Sequence, residues 1–503
     1  MLTRLSVSGF KNLVDVDLHL GAFTCVVGPN GAGKSNLFDA IRFLSALANH
    51  TFLEAATSVR DQHSRTAHIR DLFHHVGSRY AGNMKFVAEM IVPGSATDDL
   101  GQEAKASITF LRYTLELAYR ESNNSLAPGE LEIVKEELVH VAQRDAARHL
   151  PFPHSAKDWR KSVIHGQRRA RYFISTEGEG QSRVIKLHQD GGSSGRPLSR
   201  PAANLPRTVL SAANATESPT VLTARREMEA WQLVQLEPSA MRQPDEFVSP
   251  THLGTDGRHL AATLYRLARS AGQYEHGGNR VALGKDLHAS APNGKGLVVF
   301  SQIANRLGEL IDDVHGIDVD LDEKRELMTL YVRDRDGTPH PARALSDGTL
   351  RFLALSVLES DSKMQGVICL EEPENGIHPE RIPAILELLM DIAVDTQQSV
   401  GIDNPLRQVI VNTHSPVVFQ QVPDDSVVFV KPIEAVDNTG HRFKRAQFLC
   451  LSDTWRAQDS EHAARGDLLP YLNPVLSEEQ PEPPVKKRVV DRQDVRQFLL
   501  FSD

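Results

Sequence analysis

The chain has 503 residues, of which 40% are hydrophobic and 24% charged, the composition of an ordinary folded protein with about two to four domains. Its 56 Lys and Arg against 65 Asp and Glu give a net charge of -9, which excludes a globally basic nucleic-acid coat but not a local basic groove. It has three cysteines without a CxxC pair and no apolar run long enough for a signal peptide or a membrane span, so we expect a cytoplasmic protein.

The N-terminal residues 1–45 predict a compact unit of three strands and a helix. Residues 5–10 favour a strand, and residues 14–20 favour a second because apolar and polar side chains alternate there. The short apolar run 23–27 is typical of a buried strand. A glycine-rich turn follows it, and apolar residues then recur at helical spacing.

The glycine-rich turn contains the sharpest motif of the chain. It fits GxxxxGK[ST] between a predicted strand and a predicted helix, the context in which this motif cradles the phosphates of a nucleotide. Glycines let the backbone approach the phosphates, Lys34 supplies a positive charge, and the Ser35 hydroxyl is placed to bind Mg²⁺. The predicted nucleotide-binding residues are Gly28, Pro29, Asn30, Gly31, Ala32, Gly33, Lys34, Ser35 and Asn36.

The stretch from about 50 to 250 is less regular. Residues 84–92 favour a strand, and residues 106–119 favour one strand or two. The Gly-, Ser- and Pro-rich stretch 189–206 predicts a flexible loop by its composition.

A basic cluster lies within this stretch, beside the aromatic residues Trp159 and Tyr172. Such a cluster fits either the phosphates of a nucleic acid or a solvated face that meets an acidic protein, and both interpretations stay open. Its cations are Lys157, Arg160, Lys161, Arg168, Arg169 and Arg171.

Strands and helices alternate regularly in the C-terminal half, which predicts a parallel sheet covered by helices. Helices at 260–271 and 298–310 and a strand at 327–332 come first. The alternating elements that follow are helix 348–360, strand 367–370, helix 380–395 and strands 408–412 and 426–430.

The predicted strand 367–370 runs directly into acidic residues. Ligands of open parallel sheets bind at the carboxyl ends of the strands, so a functional site competes here with a merely solvated turn. Together with the phosphate-binding motif, the pattern favours the functional site. Glu371 is predicted to hold Mg²⁺, and Glu372 to orient and polarise the attacking water.

Two further motifs occur in the same region. Ser346, Asp347 and Gly348 precede an apolar helix, where they form a helix start and, by the same geometry, an anion site. His414 follows the predicted strand 408–412, and we predict that it contacts the γ-phosphate.

Taken in order, these motifs resemble those of the SMC/RecF-like ABC ATPases, especially the ATPase heads of OLD-family nucleases and related bacterial anti-phage proteins. The resemblance is strong over 1–45 and 340–430 and weak over 250–340. It rests on Gly28–Ser35 (Walker A), Leu345–Thr349 (ABC signature), Val367–Glu372 (Walker B), His414 (switch histidine), Gly9–Leu13 and Glu371–Pro379.

The resemblance implies an α/β fold: an ABC-type P-loop NTPase head, with a mixed or parallel sheet flanked by helices and a large α+β insertion between Walker A and signature. It also implies that two heads dimerise face to face around ATP and Mg²⁺. Ser346 and Gly348 of one head would then bind the γ-phosphate held by Lys34 of the other. The implied catalytic residues are Glu372, Lys34 and His414, and hydrolysis would loosen the pair.

The sequence departs from the family pattern at two positions. Glu371 stands where many relatives have aspartate, which is expected to shift the metal and slow hydrolysis. Asp347 stands where transporters have glycine. Asn375 falls at the family's D-loop, and the sequence assigns no glutamine to the Q-loop.

The domain prediction has four parts. Residues 1–92 and 251–450 form the two parts of the ATPase head, and 93–250 form the insertion. The tail 451–503 contains a Pro- and Glu-rich linker, and the residues after it fit either a partner-docking helix or a disordered terminus.

Three kinds of superfamily member compete. The long segment between Lys34 and Ser346 disfavours a transporter subunit, and residues 415–503 show no convincing acidic cluster for an in-chain nuclease. The favoured interpretation is a homodimeric or larger ATPase that controls a separate effector, a nuclease or toxin, in anti-phage defence. A RecF-like DNA-repair ATPase that binds DNA is the alternative.

Overall fold

The structure is a computed structural model in which the described residues up to 462 form one compact unit, and the few described residues after 462 belong to a second. It describes residues 1–59, 69–121, 129–168, 170–190, 195–270, 296–311, 314–437, 439–458, 461–464 and 466–468.

The strands that these ranges contain are β1 (Leu2–Ser8), β2 (Val16–His19), β3 (Phe23–Val27), β4 (His75–Val76), β5 (Arg79–Tyr80), β6 (Asn83–Ile91), β7 (Ser95–Thr97), β8 (Glu103–Lys105), β9 (Phe110–Arg120), β10 (Glu130–His140), β11 (Tyr172–Glu177), β12 (Val184–Leu187), β13 (Leu198–Pro201), β14 (Gln232–Val234), β15 (Asp245–Glu246), β16 (Val314–Asp322), β17 (Leu327–Asp334), β18 (Pro339–Pro341), β19 (Gly366–Glu371), β20 (Arg407–Thr413), β21 (Val427–Val436) and β22 (Arg442–Leu449). The helices are α1 (Lys34–Leu47), α2 (Phe52–Ser58), α3 (Ala146–His149), α4 (Trp159–Val163), α5 (Pro219–Glu229), α6 (Pro238–Met241), α7 (Leu260–Ala268), α8 (Gly296–Leu310), α9 (Asp347–Ser360), α10 (Ile382–Ile392) and α11 (Pro416–Gln421).

A six-stranded sheet with the order β14-β19-β20-β3-β21-β22 carries the sequence motifs. Its first five strands are parallel, and β22 folds back on β21 as an antiparallel hairpin. Every residue of β3 and β20 is buried, as expected for strands covered on both faces. The carboxyl ends of β3, β19 and β20 therefore meet at one edge of the sheet.

An eight-stranded antiparallel sheet joins the N-terminal strands to most of the predicted insertion. Its order is β13-β12-β11-β10-β9-β6-β1-β2. Phe10, Phe43 on α1 and Phe86 on β6 pack their rings 5.4–6.0 Å apart and tie this sheet to the helix that follows β3. The structure thus places α1 against both sheets within one core.

A smaller sheet supports the helix that follows the predicted signature. β17 pairs with β15, β16 and β18, and α8 packs on both β16 and α9. Among the described helices, none combines the length and apolar character needed to cross a membrane.

The fold class predicted from the sequence is confirmed: a mainly parallel α/β sheet flanked by helices carries the motifs, with an α+β region between Walker A and signature. The loop predicted over 189–206 is wrong in part, because β13 pairs with β12 in regular antiparallel register. A strand at the edge of a sheet has only one partner, so it tolerates the Pro-containing composition that suggested a loop. The predicted linker and docking helix of the tail lie outside the described residues, and the four-part domain division stays a prediction.

Candidate functional site

Three segments converge at the edge of the central sheet and enclose a cavity of about 540 Å³. They are the glycine-rich loop after β3, the acidic turn after β19, and residues 234–237, which begin at the end of β14. The structure therefore brings the predicted phosphate-binding loop and the predicted acidic strand end together around one space.

The glycines of the loop are required by its tight surroundings. A Cβ on Gly33, whose φ is 112°, would lie 2.7 Å from Asn12 Nδ2 and 2.8 Å from Ala446 Cβ. A Cβ on Gly28 would lie 2.2 Å from the Val430 carbonyl oxygen. The hairpin β21–β22 therefore presses directly on the loop backbone.

Helix α1 begins in a way that favours an anion. Its N-cap residue is Gly33, no side chain caps its first N–H groups, and its first turn contains no acidic residue. Free N–H groups and the positive end of the helix dipole attract phosphate. Asn36 fixes this turn by donating from Nδ2 to Asn12 Oδ1 at 2.7 Å.

Lys34 is folded into the loop that precedes it. Its side chain is largely buried, and Nζ donates to the carbonyl oxygens of Gly28 at 2.6 Å and Pro29 at 3.0 Å. Burial lowers the pKa of Lys34, and the charges of Glu372 and Glu371 oppose this effect in part. Phosphate oxygens would replace two neutral acceptors by charged ones, which form stronger hydrogen bonds.

Glu371 is held at the cavity by two amides. Its Oε1 accepts from Asn412 Nδ2 and its Oε2 from Gln235 Nε2, both at 3.1 Å. It shares the cavity wall with Ser35, so a carboxylate and a hydroxyl face one space. Oxygen donors of this kind suit Mg²⁺.

Gln235 is among the site residues that the sequence did not reveal, as are Asn412 and Arg351. It follows β14, a strand of three residues, and only the parallel pairing of β14 with β19 places it beside Glu371. The signal in the sequence is a lone glutamine after a short apolar run, which is too common to be diagnostic.

Glu372 lies in a strained turn with φ of 44°. Its Oε2 accepts from Asn375 Nδ2 at 2.8 Å, and its Oε1 lies 2.5 Å from His414 Nδ1. Burial raises the pKa of Glu372, but the bonds from Asn375 and His414 and the charges of His414 and Lys34 outweigh it, so the pKa lies below its ordinary value. Glu372 is therefore an ionised acceptor at neutral pH.

The buried Glu374 stabilises the same turn through a hydrogen bond with Thr413. Thr413 Oγ1 donates to its Oε1, and Thr413 Oγ1 in turn accepts from the Ser415 backbone N–H at 2.9 Å. Burial raises the pKa of Glu374, whose second carboxyl oxygen has no partner among the described residues. These bonds fix the turn that carries His414.

The predicted signature packs beside the acidic turn rather than lining the cavity. Ser346 caps α9 by accepting from the Thr349 backbone N–H at 3.2 Å, and Ser346, Asp347 and Gly348 are not among the described residues that line the cavity. A Cβ on Gly348 would lie 2.4 Å from the Gly376 carbonyl oxygen, so the signature packs directly on the turn after Glu374.

The basic cluster is less uniform than its sequence suggests. Trp159 is fully buried against Phe152, with ring centroids 5.6 Å apart, so it offers no ring to a ligand. Arg168 lies over the Phe173 ring at 4.2 Å and 3.9 Å from Asp190. The cations at the surface are Lys157, Lys161 and Arg171, whereas Arg160 is half-buried and Arg169 lies outside the described residues.

Residues 23–419 match the model of the family described as "AAA domain, putative AbiEii toxin, Type IV TA system". The match spans most of the chain and covers both sides of the cavity. The chain belongs to this family.

Curated relatives of this AAA-domain protein match over short stretches. They include an OLD nuclease of Thermus scotoductus, 56% identical over 41 residues, which are 8% of each protein. A DNA replication and repair protein RecF of Paenarthrobacter aurescens is 46% identical over 50 residues, 10% of this chain and 12% of RecF. The matches thus span a small part of these relatives, and with the family match they confirm the resemblance to SMC/RecF-like ABC ATPases and OLD.

Solved structures of similar architecture include an Smc head bound to the C-winged helix domain of ScpA. It is 13% identical, with 90% of this chain and 98% of that chain covered, and has a TM-score of 0.44. The SMC head domain from Thermotoga maritima is 11% identical, with 90% and 99% covered, and has a TM-score of 0.36.

Proposed function

We propose that this protein binds and hydrolyses Mg²⁺-ATP in a site completed by a second copy of the chain. The observation that carries the proposal is the convergence of Lys34, Glu371 and Glu372 on one cavity next to the uncapped start of α1. A cation, a metal-binding carboxylate and an ionised acceptor are the groups that phosphoryl transfer to water requires.

Binding uses the loop and its helix. Lys34 exchanges its loop carbonyls for phosphate oxygens, and the free N–H groups of α1 receive the remaining phosphate charge. Ser35 and Glu371 would hold Mg²⁺, with Gln235 and Asn412 fixing the carboxylate. When bound, the ion neutralises charge on the phosphates.

Hydrolysis uses the turn after β19. Glu372, which is ionised at neutral pH, orients a water molecule and accepts its proton. Asn375 and His414 each bond one oxygen of this carboxylate. The hydrogen bond from Thr413 to the buried Glu374 holds the turn in place. His414, which lies beside Glu372, would contact the γ-phosphate.

We infer a second copy because Ser346, Asp347 and Gly348 are not among the described residues that line the cavity of their own chain. Ser346 is exposed at the N-cap of α9, where it would meet the nucleotide of another molecule. We propose that two heads close around two ATP molecules, and that loss of the γ-phosphate releases them.

We further propose that this cycle controls a separate effector, a nuclease or toxin, in anti-phage defence in the cytoplasm. The family description, which mentions a toxin and a toxin–antitoxin system, and the similarity to an OLD nuclease support this.

The second candidate function is DNA repair in the manner of RecF. The similarity to RecF and the surface position of Lys157, Lys161 and Arg171 favour it. If DNA binds at this surface, replacing the three cations by glutamate weakens binding and lowers its salt dependence. Unchanged affinity and salt dependence would exclude the surface as a DNA site.

The direct test of the site is nucleotide binding by the full chain. We expect that Lys34→Ala abolishes ATP binding and turnover, whereas Lys85→Ala, at an exposed position on β6, leaves both unchanged. A Lys34→Ala protein that still binds and hydrolyses ATP would overturn the proposal.

A further inference from the structure

An acidic residue stands at the place where the proposed function requires an anion to bind. Asp347 is the first residue of α9, and its side chain is 56% exposed next to the exposed Ser346. A carboxylate at this position stabilises the helix through its dipole but repels an approaching phosphate.

Arg242 compensates this charge. Its Nη2 donates to Asp347 Oδ1 at 2.5 Å and to the Leu345 carbonyl oxygen at 3.0 Å, so one guanidinium holds both sides of the signature turn. The ion pair is partly exposed, at 29% for the arginine side chain, and such pairs add little to folding stability. The main effect of the ion pair is therefore to neutralise the negative charge of Asp347 at the signature turn.

The arginine also belongs to a segment that touches the cavity. Gln235, at the start of this segment, donates to Glu371, and the next carbonyl, that of Leu236, accepts from Arg351 Nε on α9 at 3.3 Å. Residues 235–242 thus connect the nucleotide cavity of the chain to its own signature turn, with Arg242 at the far end.

We propose that Arg242 is a positioning residue that neutralises Asp347 and so makes the signature turn acceptable to the triphosphate held by a second copy of the chain. This inference rests on the proposed function.

The test measures pairing of the full chain with Mg²⁺ and a non-hydrolysable ATP analogue by sedimentation, next to nucleotide affinity at low protein concentration. Arg242→Ala and Arg242→Gln are expected to weaken pairing about tenfold or more, because a like charge then faces the phosphate. Nucleotide affinity of the single chain should change little. Arg242→Lys, which keeps the charge, should pair nearly as well as wild type, and Arg258→Ala, at a surface ion pair with Asp256, is the matched control.

Rescue separates charge from structure. Adding Asp347→Asn to Arg242→Ala removes the uncompensated carboxylate and should restore pairing to within about threefold of wild type. A double variant as weak as Arg242→Ala, or an Arg242→Ala protein that pairs normally, would overturn the role of Arg242. Wild-type protein that fails to pair with the analogue would instead overturn the proposed function, so the two failures are distinguishable.

Discussion

At the scale of single residues, the proposed hydrolysis depends on the turn that follows β19. Glu372 is bonded on one oxygen by Asn375 and on the other by His414, two residues from different segments. These two hydrogen bonds fix an ionised carboxylate at the cavity, where the positive charge of Lys34 helps to lower its pKa.

The first prediction concerns this carboxylate. Glu372→Gln keeps the size of the side chain but removes its basicity, so turnover should fall by about 10²–10⁴-fold while ATP binding persists. Phosphate release and nucleotide affinity measure the two effects. Glu380→Gln, an exposed acid of the same region, is the control and should be neutral. Turnover that survives in Glu372→Gln would exclude it as the proton acceptor.

The sequence predicted the residues of the cavity that belong to local motifs. Lys34, Glu371 and Glu372 each follow a recognisable strand, so their convergence could be anticipated from the parallel-sheet pattern. Gln235 could not, because its place depends on a three-residue strand pairing with a strand far along the chain. Neither could the bond from Arg242 to Asp347, which joins residues 105 positions apart.

At the scale of elements, the conformation of the predicted phosphate-binding loop depends on the segments that pack against it. Asn12 and the hairpin β21–β22 lie against Gly33 and Gly28 and leave no space for a side chain. The loop conformation is therefore set by distant segments as well as by its own glycines.

The second prediction tests this pressure. Gly33→Ala forces a Cβ within 2.8 Å of Ala446 at a φ of 112°, so we expect loss of ATP binding and a stability loss of about 1–3 kcal/mol. Gly337→Ala also has positive φ but nothing within 4 Å, and should cost only about 1 kcal/mol. Equal effects of the two changes, in denaturant unfolding and nucleotide binding, would contradict the role of packing.

A buried acid links β10 to the segment that supports α1. Glu136 accepts from the backbone N–H groups of Val209 and Leu210, each at 2.9 Å, and from Tyr113 Oη. Next to them, Thr208 Oγ1 donates to the last carbonyl of α1, that of Leu47. Burial raises the pKa of Glu136 to about 7, although the hydrogen bonds from Val209, Leu210 and Tyr113 oppose this effect in part.

The third prediction is a pH dependence of stability. Between its unfolded value of 4.5 and about 7, folded Glu136 keeps a proton that the unfolded chain loses, so the free energy of unfolding falls as pH rises through this range. The shift corresponds to about 3 kcal/mol at most. Glu136→Gln should lose this slope in denaturant unfolding at pH 5 to 8, whereas Glu130→Gln, 69% exposed, should keep it. Parallel curves for wild type and Glu136→Gln would contradict the prediction.

Element boundaries were predictable where the hydrophobic pattern was local. The central strands and α1 follow from apolar runs and the glycine turn, but β10 is rich in glutamate and is a strand only because β9 and β11 flank it. β13 was missed for the same reason, since its pairing with β12 overrides a loop-like composition.

At the scale of the whole molecule, the central observation is that Ser346, Asp347 and Gly348 are not among the described residues that line the cavity. Lys34 lines the cavity, whereas Ser346 is exposed and does not line it, so in the proposed dimer the signature of one copy would complete the site of the other. Nucleotide binding and association of two chains should therefore be coupled.

The most direct test is the mass of the full chain in solution, measured by sedimentation with Mg²⁺ and a non-hydrolysable ATP analogue, with ADP, and without nucleotide. We predict that the triphosphate alone converts single chains to pairs, and that Ser346→Arg, which leaves the cavity intact, binds nucleotide without pairing. Identical masses under all three conditions, or pairing that persists in Ser346→Arg, would contradict a site shared between two copies.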